Sequence, residues 1–272
     1  MSEQSPVLPG ALVGRQRELS DARSAIEAAL SGSGVLVVVT GEAGIGKTRL
    51  VDELVRTVAA RTLWGSCWDD PGTPAFWRWT TVLKDCAGAT GIALGDELAP
   101  VTGTAEPMGG PGQQLRLSLF DSVARYLVEA ASEQPFVVVL EDLHFADEAS
   151  LDLLRYLATT LRRQPVAILA TYRHPDLEPG SPLADAVVDV LRAARSVPLY
   201  GLNEADVGDL IRATIGDVPS GVLAARVRDR TGGNPLFVTE VAKLLAAQGN
   251  LDTGLFELEG EGHDLVSRGS SG

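Results

Sequence analysis

The chain has 272 residues, of which 45% are apolar and 22% charged, a composition typical of a globular protein with one large core or a main domain plus a smaller one. Acidic residues outnumber basic ones 36 to 23, which gives a formal net charge of −13 and an isoelectric point near 4.7. Because no cluster of Lys and Arg offsets this charge, a nucleic-acid-binding face or a face for anionic membranes is not expected on this chain.

Short apolar segments alternate with longer segments of helical period. The predicted strands are residues 34–40, 62–68, 136–142, 166–173 and 196–202. Helices are predicted after the first strand, where Leu50, Leu54 and Val58 recur every four residues, at 114–133, and after Asp147, which is expected to cap its helix. Since the strands are apolar throughout, they are expected to be buried on both faces. The pattern predicts an α/β fold with a five-stranded parallel sheet flanked by helices.

Strand signals stop after residue 202, and residues 203–249 have the pattern of three short helices. We therefore predict an α/β domain at 1–202, a small all-helical lid subdomain at 203–250, and a loose tail at 251–272. A long insertion between the second and third strands carries Trp68, Trp77 and Trp79. These tryptophans are expected to pack the insertion onto the sheet, and a partner-docking surface is the alternative.

The compartment is predicted from what the sequence lacks. The N-terminus has no basic-then-apolar signal pattern, and no apolar run reaches the roughly 18 residues of a membrane span. The two cysteines, Cys67 and Cys86, are therefore expected to be reduced, half-buried thiols rather than a disulfide. A cytoplasmic location is the resulting expectation.

The segment GEAGIGKT (41–48) matches the phosphate-loop pattern G-x-x-x-x-G-K-[ST] between a predicted strand and a predicted helix. Its glycines permit a tight turn in which backbone N–H groups converge on an anion at a helix N-terminus. Lys47 would contact the β and γ phosphates, and the Thr48 hydroxyl would reach a divalent metal. A plain Gly-rich turn with an exposed lysine is the alternative. The residues predicted to bind nucleotide here are Gly41, Glu42, Ala43, Gly44, Ile45, Gly46, Lys47, Thr48 and Arg49.

The segment VVVLED (137–142) places two carboxylates, Glu141 and Asp142, at the end of a buried strand. Successive side chains on a strand point to opposite sides, so the two acids cannot do the same job. Glu141 is predicted to face Thr48 and a Mg²⁺ ion, and Asp142 to polarise the attacking water. The alternative is that one of the acids only caps the following turn.

Five motifs in this order resemble a known family: LVGRQREL (12–19), GEAGIGKT, VLEDLHFAD, a strand ending in TYR (171–173), and GGNPLFVTEV (232–241). The chain resembles the signal-transducing STAND branch of AAA-type P-loop ATPases, especially the modules of large ATP-binding LuxR-type transcriptional regulators of actinobacteria, with similar modules in antibiotic-regulatory proteins. The likeness covers roughly residues 11–265. It implies a P-loop NTPase fold with ATP/ADP and Mg²⁺ as ligands.

The resemblance also implies roles for single residues. Arg173 corresponds to an arginine that senses the terminal phosphate, and Pro235, with Gly233, to a turn whose proline packs against the base and couples the lid to the nucleotide. The adenine-contacting element corresponds to Leu12, Val13, Gly14 and Arg15. Without the family, these four residues are only a turn before a helix.

Two features depart from the family pattern. Many members have Asp first in the acid pair, whereas this chain has Glu141 and then Asp142, shorter than the glutamate base common in AAA+ motors. Water activation depends tightly on hydrogen-bond reach, so Mg-nucleotide binding with slow hydrolysis is expected. The family's C-terminal segment runs on into further domains, including a DNA-binding element, but here it stops after VSRGSSG. The chain is therefore expected to be an excised module or a shortened relative.

The leading functional prediction is a regulatory ATPase module that acts as a nucleotide-dependent switch of a transcriptional regulator, with Lys47, Asp142 and Arg173 as catalytic residues. Its expected partners are further domains of a larger regulator or a second copy, not nucleic acid or a membrane. The alternative is an oligomeric AAA+ ATPase with sustained turnover, completed by a neighbour's arginine finger, for which Arg162 and Arg163 are the candidates. A partner-binding module with an inactive site is the third possibility, and the intact Lys47, Thr48 and acid pair argue against it.

Overall fold

A computed structural model of the chain describes residues 12–65, 74–103, 113–173 and 181–248. These residues belong to two compact units, one ending at Tyr200 and the other beginning at Gly201. The first unit contains two hydrophobic clusters and the second contains a cluster of its own.

The first unit is built on a parallel sheet. Its strands are β1 (Val35–Thr40), β2 (Arg61–Gly65), β3 (Phe136–Leu140), β4 (Val166–Tyr172) and β5 (Arg195–Pro198). Its helices are α1 (Gln16–Leu30), α2 (Lys47–Thr57), α3 (Trp77–Thr90), α4 (Ala99–Thr102), α5 (Gln113–Glu133), α6 (Glu148–Thr160) and α7 (Pro182–Ala193). The strand order is β2-β3-β4-β1-β5 and every pairing is parallel, so the predicted α/β fold is confirmed.

The central strands are buried on both faces because their residues alternate between two cores. On β3, Val138 and Leu140 belong to the cluster formed with α3, α5, α6 and α7, whereas Val137 and Val139 belong to the cluster formed with α1 and α2. All residues of β3 and β4 are buried. A sheet covered by helices on each side requires this uninterrupted apolar pattern.

The prediction of burial on both faces is wrong for β5. Only Val197 of its four residues is buried, because β5 is an edge strand that pairs with β1 alone. The strand ends at Pro198, which has no N–H to donate to a neighbour, rather than extending to residue 202. The end predicted for the third strand also shifts, since β3 stops at Leu140. The predicted end of the second strand, residues 66–68, lies outside the described residues.

The second unit contains three helices in its described part, as predicted: α8 (Glu204–Ile215), α9 (Gly221–Thr231) and α10 (Pro235–Gln248). Polar caps begin the first two, since the side chain of Asn203 accepts from Asp206 N at 2.9 Å and that of Ser220 from Leu223 N at 3.2 Å. The helices share a core that includes Val207, Val227 and Val238, and others of this cluster are Leu202, Ile211, Leu223, Ala242 and Leu245. Within the described ranges of the chain, no helix is long and apolar enough to span a bilayer.

Candidate nucleotide- and metal-binding site

The candidate site lies at the carboxyl edge of the sheet. Strands β3, β4 and β1 are parallel neighbours, so the segments that follow them meet at one edge. The phosphate loop follows β1, the acid pair follows β3, and Arg173 follows β4. The topology therefore brings together three motifs that are far apart in the first unit's sequence.

The phosphate loop has the backbone that its sequence predicts. Gly41, Gly44 and Gly46 have φ of 151°, 74° and 99°, values that disfavour any side chain. A Cβ on Gly41 would stand 2.8 Å from the carbonyl oxygen of Leu199, so the loop also approaches the chain after β5 closely. Helix α2 begins directly at Lys47, which points the first N–H groups of the helix toward the loop.

Lys47 is held over this loop by its own backbone. Its ammonium group donates to the carbonyl oxygens of Gly41 at 3.0 Å and Glu42 at 2.8 Å, and the residue is 8% exposed. Burial lowers the pKa of Lys47, the charge of Asp142 opposes this effect, and the charge of Arg173 adds to it. The plain alternative, a turn with an exposed lysine, is therefore wrong for this structure.

Glu141 lies beside Thr48, and its role as a metal ligand stays a prediction. The Thr48 hydroxyl is near enough to the Glu141 carboxylate to lower its pKa as a hydrogen-bond donor, while Oε1 of Glu141 is buried and has no hydrogen-bond partner. Burial raises the pKa of Glu141, and the Thr48 hydrogen bond and the charge of Arg78 act in the opposite direction. An unpartnered buried carboxylate oxygen is costly unless a cation completes it.

These two oxygen donors fit Mg²⁺, which prefers hard oxygen ligands and commonly takes one or two protein groups plus phosphate oxygens and water. Among the described residues, no group of three or more His, Cys, Asp and Glu side chains is arranged to hold a metal ion. A metal at this edge would therefore depend on Thr48, Glu141 and the oxygens of a bound nucleotide.

The orientation of Asp142 is set by its backbone conformation and not by the strand alternation on which the prediction rested. The strand has already ended, and Asp142 adopts the left-handed conformation, with φ 50° and ψ 59°. Its N–H donates to Thr171 Oγ1 at 2.7 Å, and its carboxylate lies 3.8 Å from His144 Nδ1. Although Asp142 precedes a short 3₁₀ turn (Leu143–Phe145), its side chain makes no capping hydrogen bond, so the capping alternative is wrong for this residue. The carboxylate is 45% exposed and accessible to water.

His144 is a second polar group of this turn that sequence reasoning did not single out. Its Nδ1 is buried without a hydrogen-bond partner, and its ring packs on Phe145 with centroids 4.1 Å apart. Burial has the largest effect on the pKa of His144 and lowers it. The charge of Asp142 raises this pKa, and the charges of Arg173, Lys47 and Arg78 lower it further. His144 is therefore a largely buried ring whose lowered pKa disfavours the protonated form, and it lies next to the Asp142 carboxylate at the edge of the candidate site.

The N-terminal element reaches the phosphate loop through Arg15. The guanidinium is buried, and Nη2 donates to the carbonyl oxygens of Tyr200 at 2.6 Å and Ile45 at 3.4 Å. Nη1 pairs with Glu18 at 3.3 Å. These contacts tie residue 45 of the loop to the last residue of the first unit. Leu12, Val13 and Gly14 are partly exposed beside this arginine, and an adenine contact for them stays a prediction.

The remaining predicted residues lie in separate places. Arg173 is exposed at the end of β4, and its charge acts on both Lys47 and His144. Arg162 and Arg163 are exposed in a turn next to Gly34, at the amino end of β1 and hence at the sheet edge opposite to the phosphate loop. Pro235 is the first residue of α10 in the second unit, and its role stays a prediction.

The tryptophans and cysteines have different environments. Trp79 is fully buried in the larger core, which confirms the packing interpretation for this residue, whereas Trp77 is 38% exposed. Cys86 is a free, buried thiol rather than a half-buried one. Trp68 and Cys67 lie outside the described residues.

Sequence reasoning also missed Arg78 and Thr171, both buried, which hydrogen-bond the backbone of the acid pair. The available signals were weak. Arg78 is a charged residue between two tryptophans, and Thr171 is a hydroxyl in an otherwise apolar strand.

Comparison with known proteins decides the family. Residues 11–169, more than half of the chain, match the AAA ATPase domain. The chain belongs to the AAA ATPase domain family. The matched residues include the phosphate loop, the acid pair and Thr48, so this AAA ATPase domain carries the nucleotide-binding motifs at the sheet edge described above.

Similar proteins are consistent with that assignment. An uncharacterised protein of Rhizobium meliloti (strain 1021) is 25% identical over 279 residues, which cover 90% of this chain and 26% of that protein. The chain therefore spans about a quarter of the length of this curated relative. Among solved structures, the Walker-type ATPase of Pyrococcus abyssi has a TM-score of 0.55 at 14% identity, covering 92% of this chain and 73% of that one. Cdc6p of Pyrobaculum aerophilum has a TM-score of 0.54 at 15% identity, covering 90% and 65%. Likeness at this level of identity shows the shared fold alone.

Proposed function

We propose that this AAA ATPase domain binds ATP and ADP with Mg²⁺ and acts as a slowly hydrolysing, nucleotide-dependent switch of a larger regulatory protein. The observation that carries the proposal is the arrangement of Lys47, Thr48 and Glu141. A buried lysine lies over the phosphate loop, and a carboxylate with one unpartnered oxygen contacts the hydroxyl that follows this lysine.

In the proposed mechanism, the loop backbone and the N-terminus of α2 bind the phosphates, and the Lys47 ammonium exchanges its carbonyl partners for phosphate oxygens. Thr48 and Glu141 would hold Mg²⁺, which when bound neutralises charge on the phosphate oxygens. The exposed Asp142 carboxylate orients the attacking water and accepts its proton as the bond to the γ phosphorus forms and the bond to the leaving oxygen breaks. Arg173 faces the negative charge that develops on the γ-phosphate oxygens during this step.

Slow hydrolysis follows from the reach of Asp142. The carboxylate has one methylene fewer than a glutamate, and its backbone is fixed from both sides, by Thr171 at the N–H and by Arg78 at the carbonyl oxygen. It cannot move toward a water that lies beyond its reach, and proton transfer requires about 2.6–3.2 Å between heavy atoms. The expected result is a long-lived nucleotide complex.

The switch itself would be read by the second unit and by other domains. The curated relative is about four times as long as its matched segment, which supports a module within a larger chain, and the motif order supports a LuxR-type transcriptional regulator. A nucleotide at about 100 times its dissociation constant stabilises the binding conformation by about 2.7 kcal/mol. That energy suffices to shift a two-state equilibrium about a hundredfold. Residues 203–250 are the proposed lid.

The test is Mg-ATP turnover followed well beyond one equivalent, with Lys47→Ala as the blank and Asp142→Asn as the probe of water activation. The proposal expects formation of about one ADP per chain that stays bound, and a slower single turnover for Asp142→Asn. Unchanged hydrolysis in Asp142→Asn contradicts the role assigned to this carboxylate. Sustained turnover that rises steeply with protein concentration favours the oligomeric ATPase, in which the exposed Arg162 or Arg163 would serve a neighbouring copy's site.

A further inference from the structure

The segment WRW at the start of α3 contains an arginine with unusual surroundings. Arg78 is 3% exposed, although arginine is rarely buried unless its guanidinium is hydrogen-bonded. Its Nη1 donates to the carbonyl oxygen of Glu141, and its Nη2 donates to that of Asp142 at 2.8 Å. One guanidinium therefore binds the backbone of both acidic residues, from a helix 63 residues earlier in the chain.

The backbone that Arg78 contacts is strained. Asp142 is one of two non-glycine residues with positive φ in the described part of the chain, a conformation that is disfavoured for residues with a side chain, although less for Asp than for most. The N–H of Asp142 donates to Thr171, and its carbonyl oxygen accepts from Arg78 and from Phe145 N at 3.0 Å. Hydrogen bonds from α3, from β4 and from the turn itself thus hold a conformation that the residue would not adopt alone.

The neighbouring residue of α3 holds the other end of the same segment. The indole N–H of Trp79 donates to the carbonyl oxygen of Ser150 at 3.2 Å, in the first turn of α6. Consecutive residues of α3 therefore bind the chain at 141–142 and at 150. Between these points lie His144 and the cap Asp147, so the first turn of α3 contacts both ends of the segment that begins with the acid pair.

We propose that Arg78 is a positioning residue for the acid pair: its forked guanidinium fixes the backbone at 141–142 so that Glu141 reaches Thr48 while Asp142 turns toward the water side. This inference rests on the proposed function and extends it, because it makes α3 part of the apparatus for metal binding and hydrolysis. Any change that displaces the start of α3 then changes the site without touching the nucleotide.

Lysine is the informative replacement, since it keeps the charge but cannot donate from two fixed nitrogens to two carbonyl oxygens. A displacement of about 1 Å at a reacting group costs up to ~100-fold in rate. We therefore expect Arg78→Lys to slow the single turnover of Mg-ATP by ~10–100-fold, and to reduce the factor by which Mg²⁺ strengthens binding of a fluorescent ATP analogue. Binding of that analogue without metal should stay within about twofold of wild type, because the two hydrogen bonds of Arg78 described above go to the acid pair rather than to the phosphate loop.

Three further variants make the test specific. Arg125→Lys, at an exposed arginine of α5 paired with Asp121, is the matched control and should leave both measurements unchanged. Trp79→Phe keeps an aromatic ring in the core but removes the indole N–H together with the second ring, and it should give a smaller effect in the same direction. Arg78→Met, if folded by circular dichroism, should exceed Arg78→Lys in both effects.

The outcomes separate this inference from the proposed function. If wild type shows no Mg-dependent nucleotide binding, both fail. If wild type binds and hydrolyses while Arg78→Lys matches it in rate and in metal dependence, only the role of Arg78 is refuted. A parallel loss of metal-free binding and rate in Arg78→Lys would show a general structural role and would also refute positioning.

Discussion

The N-cap of α6 is expected to stabilise the fold more than an ordinary N-cap does, and the variant Asp147→Ala tests this. Asp147 Oδ1 accepts from the N–H of Ser150 at 2.9 Å, and Oδ2 accepts from the Ser150 hydroxyl at 2.6 Å. Loss of a polar N-cap costs about 1 kcal/mol. Because Ser150 is buried, its hydroxyl would also be left without this partner, at about 1–3 kcal/mol. We therefore expect Asp147→Ala to lower the free energy of unfolding by ~2–4 kcal/mol.

The assay is urea unfolding followed by tryptophan fluorescence and circular dichroism, with the midpoints compared at equal m-values. Ser181→Ala is the matched control: Ser181 caps α7 through a single bond from Ala184 N at 3.3 Å, so it should cost only about 1 kcal/mol. In Asp147→Ala/Ser150→Ala the unpartnered hydroxyl is absent, and the double variant should be more stable than Asp147→Ala alone. Additive losses from the two single changes would refute the reasoning about the buried hydroxyl.

Three other expectations concern single residues. Gly41→Ala should abolish nucleotide binding because its Cβ would stand 2.8 Å from a backbone oxygen. Gly88→Ala is the control: Gly88 lies in α3, a Cβ there would have no atom within 4 Å, and the variant should stabilise the fold by ~0.5–1 kcal/mol in urea unfolding. Equal nucleotide binding by the two variants would contradict this. Burial lowers the pKa of His144, so the folded chain takes up its proton less readily than the unfolded chain, and stability from this group falls as pH drops below about 6.5. His144→Asn should therefore lose less stability than wild type between pH 7 and pH 5, and parallel pH profiles would argue against it. Burial raises the pKa of the Cys86 thiol, so in a Cys67→Ser background the native chain should resist alkylation at pH 8 until it is unfolded; rapid native labelling would show that Cys86 is accessible.

Local features of the sequence sufficed for much of the fold and part of the site. Uninterrupted apolar segments predicted the buried strands, since a strand covered by helices on both sides faces apolar side chains in both directions. The glycines of GEAGIGKT predicted the loop because only residues tolerant of positive φ can form it, and Asp147 predicted the start of α6. The prediction for β5 failed because the apolar residues at 196–202 resemble those of a central strand. Whether a strand lies at the edge depends on which strands pair, and the sequence of one strand does not show this.

The sequence alone determined that this chain has a phosphate loop, an acid pair and a parallel sheet to bring them together, because each depends on neighbours within a few residues. Only the tertiary structure decided how the acid pair is held. Arg78 and Thr171 contact the backbone of Asp142 across 64 and 29 residues, and Arg15 reaches Tyr200 across 185. Each of these three side chains is buried, so its polar atoms need a hydrogen-bond partner within the protein. Which group that is depends on how helices and strands pack, and no periodicity or motif along the chain records it.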